Sequence, residues 1–175
     1  MSQVVGFTVE RGRQEAQHQT VALARRKAVL VINDVLGHTL ALSLQARRLR
    51  WHAIGQSHAT LREMLGHMVK DLDAFSDRAA QRAVQLGGMA DGHIDAGGHQ
   101  GASSQHGVGE HHPFVTAALG LLTVAVTSAA ATAQQGMRAV ATLGDPVSES
   151  VVREVVSGLD TWEWFLEVHL QGLTE

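Results

Sequence analysis

Four long stretches with apolar residues at helical spacing constrain the fold of this chain more than any other feature. Within each stretch, apolar side chains recur every three or four residues, which places them on one face of a helix. Glycines stand where the helices should stop, and Asp145 followed by Pro146 marks an N-cap and a first helical residue. No stretch shows the alternation of a strand, so the sequence predicts an all-α fold. The predicted helices cover 20–51, 58–86, 114–143 and 147–172.

The connections between these helices predict how they pack. The first and second helices are joined by a short turn, as are the third and fourth, so each pair should be antiparallel neighbours. The connection at 89–112 is long enough to cross the bundle, and one long crossover is the ferritin-like arrangement. We therefore predict a four-helix bundle over 20–175. Residues 1–19 lack apolar periodicity and are predicted to be an N-terminal tail.

The third helix is unusual because small residues fill much of it, which permits close approach of a neighbouring helix. Its predicted buried stripe consists of Ala118, Leu121, Ala125, Ser128 and Thr132.

Charge and amino-acid usage narrow the classes of function. The net charge is −3 and cysteine is absent, so neither a disulfide framework nor a thiolate metal site is available. The first residues lack the basic-then-apolar layout of a secretory signal. The apolar run at 117–133 contains too many Thr, Ser and Gly residues for a membrane span. We expect a cytoplasmic protein that is not attached to a membrane.

Three parts of the sequence resemble the Dps family, the small bacterial ferritins, and the resemblance covers roughly 20–172 apart from the crossover. They are VLGHTLALSL at 35–44 with WHAIG at 51–55, LREML at 61–65 with QRAVQLGG at 81–88, and GDP at 144–146 with WEWFLEVHL at 162–170. The resemblance implies a hollow shell of twelve subunits built from two-fold dimers. Such shells oxidise ferrous iron, often with hydrogen peroxide, and store the ferric product. Some also bind DNA.

The family's iron-oxidising site lies across the two-fold interface, and the resemblance locates its five ligands in this chain. One subunit supplies two histidines and an acid, and these positions hold Arg50, Arg62 and Gly66. The partner supplies an Asp and a Glu, and these positions hold Asp77 and Gln81. One ligand of the five is therefore retained.

The two arginines argue against a conventional iron site. A guanidinium is always charged and has no lone pair to offer a metal, whereas iron prefers carboxylate and imidazole ligands. One hypothesis is that Arg50 and Arg62 form a salt bridge with Asp77 of the partner subunit, where iron would otherwise lie. The alternative is that both arginines point to solvent and the site is empty.

Other histidines offer a relocated metal site. The candidate ligands are His52, His58 and His67 together with Asp77, and iron is the expected metal, with zinc or another divalent metal as the alternative. Each histidine also has an ordinary interpretation as a helix-end or surface residue. The crossover is rich in glycine and histidine, and it is predicted either to bind metal or to be a solvated loop. Its histidines are His93, His99, His106, His111 and His112.

The sequence therefore predicts a Dps-like cage for iron sequestration and protection against oxidative stress, with at most a weak or non-standard ferroxidase activity. The alternative is a non-catalytic structural or interaction cage, or a subunit mixed into another cage. DNA condensation is disfavoured, because the tail contains Glu10 and Glu15 as well as Arg11 and Arg13, and it has no lysine.

Overall fold

Four α-helices make up most of the protein in a computed structural model, which describes the backbone of residues 2–93 and 111–174 and the side chains of residues 14–93 and 114–172. These ranges contain no strand, and a short 3-10 turn at Gln56–His58 precedes the second helix. The predicted all-α bundle is confirmed. The helices are α1 (Ser2–His52), α2 (Ala59–Gln85), α3 (His111–Thr142) and α4 (Pro146–Thr174).

The first two helices are antiparallel neighbours, as predicted from their short connection. Near the middle of both, the hydroxyl of Ser76 donates to that of Thr39 at 2.9 Å, and both side chains are buried. Toward the end of α1, Arg47 is ion-paired with Asp73, which precedes Ser76 by almost one turn. Residues farther along α1 therefore face residues earlier in α2, so the two helices run in opposite directions.

The third helix runs antiparallel to α1 and therefore parallel to α2. Val31, near the first buried turn of α1, contacts Gly136 near the end of α3. At the other end, the ring of His52 meets that of Phe114 edge to face, with centroids 4.9 Å apart. Because α2 and α3 are parallel, the chain between them must return along the whole bundle. This confirms the long crossover.

The core is apolar and draws on all four helices. Burial of each large aliphatic side chain contributes about 1.5–3 kcal/mol. In α3 the predicted stripe matches the buried face only in part: Ala118 and Ala125 pack against the core, but Leu121 is 57 % exposed, whereas Leu119 and Leu122 are buried. This helix is apolar almost all round, so periodicity alone did not identify its core face. Among the most deeply buried side chains are Ile32, Leu65, Met68, Leu72, Leu119, Leu122, Leu159 and Leu166.

The first helix begins at Ser2, not near Thr20 as the sequence predicted. Its side chains at 14–27 are almost all exposed, and Ala28 is the first buried one among the side chains that the structure describes. For residues 14–19 this explains the missing periodicity, because a helix segment exposed on all sides has no core face. Helical backbone bonds are local, and no proline interrupts this stretch. The division of the chain into a tail at 1–19 and a bundle domain at 20–175 stays a prediction.

The predicted helix ends are confirmed at several positions. Gly55, Gly87 and Gly144 have positive φ angles of 94°, 83° and 69°, which glycine adopts without steric cost. At the start of α4, the carboxylate of Asp145 accepts the backbone N–H of Ser148 at 3.1 Å, as an N-cap does.

The chain leaving α2 folds back along α1 before it enters the crossover. The side-chain amide of Asn33 donates to the carbonyl of Met89 at 2.9 Å, and its oxygen accepts the N–H of Asp91 at 3.0 Å. A Cβ on Gly88 would stand 2.5 Å from a methyl group of Val29. This strap, residues 88–93, therefore needs glycine where it touches the helix. His99 and His106 of the crossover lie outside the described residues.

Two helices of the described chain, Gln14–His52 and Phe114–Thr142, are long enough to cross a membrane, and each contains an 18-residue window that is apolar enough, with mean hydropathies of 1.3 and 1.9. Both supply core residues of the bundle, for example Ile32 in α1 and Leu119 in α3, and a core helix passes the same test.

Candidate functional site

The end of α1 lies against the beginning of α2, and there the structure brings together two of the positions that the Dps resemblance assigned to iron ligands. The guanidinium of Arg50 lies over Gly66. A Cβ placed on that glycine would stand 3.4 Å from Nε of Arg50 and 3.7 Å from Nη2. The sequence comparison placed these two positions in one site, and the fold puts them in contact.

Arg62 belongs to the same place. It precedes Gly66 by four residues in α2, so both project from one face of the helix. Its side chain and that of Arg50 are exposed. Positions 50, 62 and 66 therefore form a half-site within one chain, but it contains two guanidinium groups and no ligand for a cation.

The other two positions lie farther along α2. Asp77 and Gln81 are one turn apart, and both are exposed. Eleven residues separate Asp77 from Gly66, which corresponds to about 16 Å of helix rise. One chain therefore cannot bring the two halves together, and a complete site would need a second copy.

The arginines and the aspartate have no charged partner within the described part of the chain. Its ion pairs do not include Arg50, Arg62 or Asp77. By contrast, Arg47, one turn before Arg50 in α1, is ion-paired with Asp73. That aspartate also accepts a 2.7 Å hydrogen bond from Ser43. The salt bridge to Asp77 of the partner subunit stays a prediction.

The three candidate histidines lie at separate places. His52 is exposed at the end of α1, with its ring edge against Phe114. His58 is 4 % exposed, and its Nδ1 donates to the carbonyl oxygen of Ile54 at 3.1 Å. His67 is exposed on α2, nine residues after His58, which is about 14 Å of helix rise.

These positions form no metal centre in one chain. The described residues contain no group of three or more His, Asp or Glu side chains placed to hold a metal ion. His58 is also constrained, because Nδ1 is engaged with the backbone and only Nε2 could serve as a ligand. A relocated site shared between subunits stays a prediction, as does metal binding by the crossover.

Sequence reasoning treated each replaced ligand separately and missed the contact between Arg50 and Gly66. A helical glycine costs about 1 kcal/mol relative to alanine, so Gly66 in α2 was a signal that something approaches the helix there. In an antiparallel helix pair, the numbers of facing residues add up to a nearly constant value. Thr39 faces Ser76, and positions 50 and 66 have nearly the same total, so this register identifies Arg50 as the neighbour of Gly66.

Comparison with known proteins agrees with the fold. A family model described as a ferritin-like domain matches residues 30–175. The chain is 25 % identical over 158 residues to the DNA protection during starvation protein of Agrobacterium fabrum, covering 85 % of this chain and 90 % of that protein.

Solved structures show the same fold. A mutant of Mycobacterium smegmatis Dps1 superposes with a TM-score of 0.70 at 20 % identity, covering 84 % of this chain and 97 % of that one. DpsA14 from Streptomyces coelicolor gives a TM-score of 0.70 at 21 % identity, covering 83 % and 85 %. Dps from Listeria monocytogenes gives 0.68 at 14 % identity, covering 82 % and 93 %.

Proposed function

The chain belongs to the ferritin-like domain family as a Dps-type member, and from this premise we propose that it is a subunit of a self-assembled cage that sequesters iron and protects against oxidative stress without the family's usual iron-oxidising site. Twelve subunits arranged as two-fold dimers are part of the proposal, as is a cytoplasmic location. Iron is the cargo of this cage.

One observation carries the proposal, namely the contact between Arg50 and Gly66. The resemblance implies a histidine and an acid at these positions, and the fold places them side by side. A guanidinium there repels a divalent cation, and glycine offers no oxygen ligand in its side chain. The half-site contributed by this chain therefore argues against the family's usual oxidation chemistry.

A second candidate function is a non-catalytic structural or interaction cage, alone or mixed with another subunit. It is favoured by the replacements Arg50, Arg62, Gly66 and Gln81, which leave Asp77 as one retained ligand of five. The two functions differ in whether iron is retained. DNA condensation is less favoured, because the whole chain carries a net charge of −3.

Addition of ferrous iron to the purified, metal-free protein tests the proposal. Ferric absorbance is followed with oxygen and then with peroxide, and the product is separated by gel filtration with iron determined in each fraction. We expect an oxidation rate equal to that of protein-free buffer, and iron that elutes with a shell of about twelve subunits. Iron that does not elute with the shell would favour the structural cage.

An oxidation rate well above that of buffer would contradict the loss of the iron-oxidising site. Two variants then identify the residues responsible for the oxidation. Asp77→Asn removes the retained acid, and the pair His52→Asn with His67→Asn removes the two exposed candidate histidines. His169→Asn, at a partly exposed position in α4, is the matched control. Activity lost only in Asp77→Asn would indicate a residual form of the usual site. Activity lost also in the histidine pair would indicate a relocated one.

A further inference from the structure

We propose that an exposed strip near the beginning of α1 docks on the outer face of α4 in a second copy of the chain, through an apolar contact flanked by opposite charges. The inference rests on the proposed self-assembly, because its two sides come from two copies, but it does not depend on iron. A two-fold contact joins only two copies, so a shell needs at least one further contact that joins two different surfaces. The strips of α1 and α4 have the properties of such a pair.

The first strip belongs to a part of α1 that has little packing of its own among the described residues. The side chains at 14–27 are almost all exposed, whereas most of the stability of a protein helix comes from packing of an apolar face. Leu23 and Leu30 are 55 % and 71 % exposed. Arg26 and Lys27, also exposed, lie between them at spacings of three and four residues, which places all four on one face. This basic strip, Leu23, Arg26, Lys27 and Leu30, therefore combines apolar surface with two positive charges.

The outer face of α4 presents the complementary combination. Trp164 and Val168 are 58 % and 45 % exposed and lie one turn apart. Asp160 lies one turn before Trp164, and Glu167 lies three residues after it; both acids are exposed and share this face. This acidic strip, Asp160, Trp164, Glu167 and Val168, therefore combines apolar surface with two negative charges.

The ring of Trp164 is held by contacts within its own helix. It packs on the ring of Phe165 with centroids 4.9 Å apart, and Phe165 packs on the buried Trp162 with centroids 5.7 Å apart. A side chain that is already ordered loses little entropy on binding, and tryptophan is enriched at the residues that dominate binding energy. Trp164 is therefore the expected anchor of the contact, between the two leucines of the basic strip.

The charges select unlike strips as partners. Arg26, Lys27, Asp160 and Glu167 take no part in the ion pairs of the described residues. Two basic strips, or two acidic ones, would repel each other, whereas a basic strip facing an acidic one attracts it and fixes its orientation. The contact therefore joins two different surfaces, as a closed shell requires.

One chain cannot bring its own two strips together. Thr127 on α3 donates to Glu163, the residue before Trp164, whereas Gly136 on α3 contacts Val31 of α1. Nine residues of α3 separate these two levels, which corresponds to about 14 Å along the bundle. The basic strip lies still farther away, because it precedes Val31 in α1. A contact between the strips therefore requires a second copy.

Carbodiimide coupling of the full chain, followed by electrophoresis and mass spectrometry of the products, tests the contact. The reagent joins a lysine amine to a carboxylate that touches it, and the chain has only two lysines, Lys27 and Lys70. We expect covalent dimers whose linked peptides join Lys27 to Asp160 or Glu167. Lys27→Arg keeps the charge and should abolish this link. Lys70→Arg, the matched control at another exposed position, should leave it unchanged.

Charge reversal measures what the contact contributes to assembly. Arg26→Glu with Lys27→Glu should weaken association, and the further changes Asp160→Lys with Glu167→Lys should restore it. Trp164→Ala should raise the concentration at which half of the shells dissociate about tenfold, as loss of an anchor residue does. Sedimentation velocity over a dilution series gives these concentrations.

The outcomes separate failure of the contact from failure of the cage. A wild type that forms shells but gives no link from Lys27 to either acid would overturn the contact and leave the proposed cage intact. A wild type that sediments as a monomer would overturn both. No recovery of association in the folded fourfold charge variant would also overturn the contact; if that variant does not fold, the link in the natural sequence decides.

Discussion

The ring of Phe75 on α2 lies directly against Gly158 on α4. A Cβ at position 158 would stand 2.2 Å from Cζ of the ring and 2.5 Å from Cε2, well inside van der Waals contact. Glycine in the middle of a helix costs about 1 kcal/mol relative to alanine. Glycine is needed at position 158 because the ring of Phe75 occupies the space between α2 and α4 that a larger side chain would fill.

Gly158→Ala is therefore expected to destabilise the protein although alanine is the better helix former. The added methyl group forces the ring of Phe75 to move, and overpacking of this kind costs about 1–3 kcal/mol. Chemical denaturation followed by circular dichroism measures the free energy of unfolding. Gly120→Ala is the matched control: nothing lies within 4 Å of its Cβ position, so this change should be neutral or stabilising. Equal effects of the two changes would contradict the role of the ring.

The ion pair between Arg82 and Asp145 is expected to make stability depend on pH. Partial burial alone would raise the pKa of Asp145. Hydrogen bonds from the Ser148 hydroxyl and N–H and from Arg82, together with the charge of Arg82, outweigh burial, so the pKa lies below its usual value of 3.8. A depressed pKa means that the stabilisation is fully present above about pH 4 and is lost as the pH falls through the folded-state pKa.

Asp145→Asn tests this dependence because asparagine can still cap α4. At pH 7 we expect a loss of about 1–2 kcal/mol in the free energy of unfolding, and below pH 3.8 the difference from wild type should shrink. The control is Glu154→Gln, whose ion pair with Arg78 is about half exposed and screened by solvent, so that its effect should be small at either pH. A constant difference for Asp145→Asn across pH would contradict the linkage.

Restoring the replaced ligands should create iron oxidation if the half-sites meet across a dimer. The variant combines Arg50→His, Arg62→His, Gly66→Glu and Gln81→Glu. We expect its initial oxidation rate to exceed that of the wild type at least about tenfold, because the loss of even an outer-shell partner of a metal ligand costs about 10–100-fold in affinity or activity. Gly66→Glu alone should add no activity, because the new carboxylate would pair with Arg50.

The control for restoration adds Asp77→Asn to the fourfold variant. Loss of the gained activity would show that the new ligands act together with the retained acid. A fourfold variant that assembles normally but remains inactive would mean that the two half-sites do not face each other in this protein's dimer.

Asn33 is expected to hold the strap at 88–93 against α1. Asn33→Ala removes the hydrogen bonds to Met89 and Asp91, and hydrogen exchange of the Asp91 amide should accelerate about tenfold, because its acceptor is gone. Gln135→Ala, at an exposed position on α3, is the control and should leave this amide unchanged. Unchanged exchange in Asn33→Ala would show that packing of the glycines alone fixes the strap.

Much of the fold could be predicted from local sequence signals. Helix ends followed from Gly55, Gly87 and Gly144, because positive φ angles are accessible to glycine, and from Asp145 as an N-cap. In α2 and α4 a polar face contrasts with an apolar one, so spacing alone identified core residues such as Leu65 and Leu159. In α3 that contrast is weaker, and the predicted stripe was right for Ala118 and Ala125, which pack against the core, but wrong for Leu121.

The candidate site was predicted only in part. The Dps resemblance identified positions 50, 62, 66, 77 and 81, and the fold brings two of them, Arg50 and Gly66, into contact. The four residues proposed as a relocated metal site do not meet in one chain among the described residues. Nine residues of helix separate His58 from His67 by about 14 Å, which is too far for both to bind one ion within a single chain.

By itself, the sequence determined the existence, the type and most ends of the four helices, since these depend on backbone bonds and side-chain preferences within a few residues. Only the tertiary structure decided which face of α3 is buried, that Phe75 lies on Gly158, that Asn33 holds the strap and that Arg50 covers Gly66. Each of these contacts joins residues far apart in the chain. Their partners are selected by close packing of the whole bundle, and no local pattern contains that information.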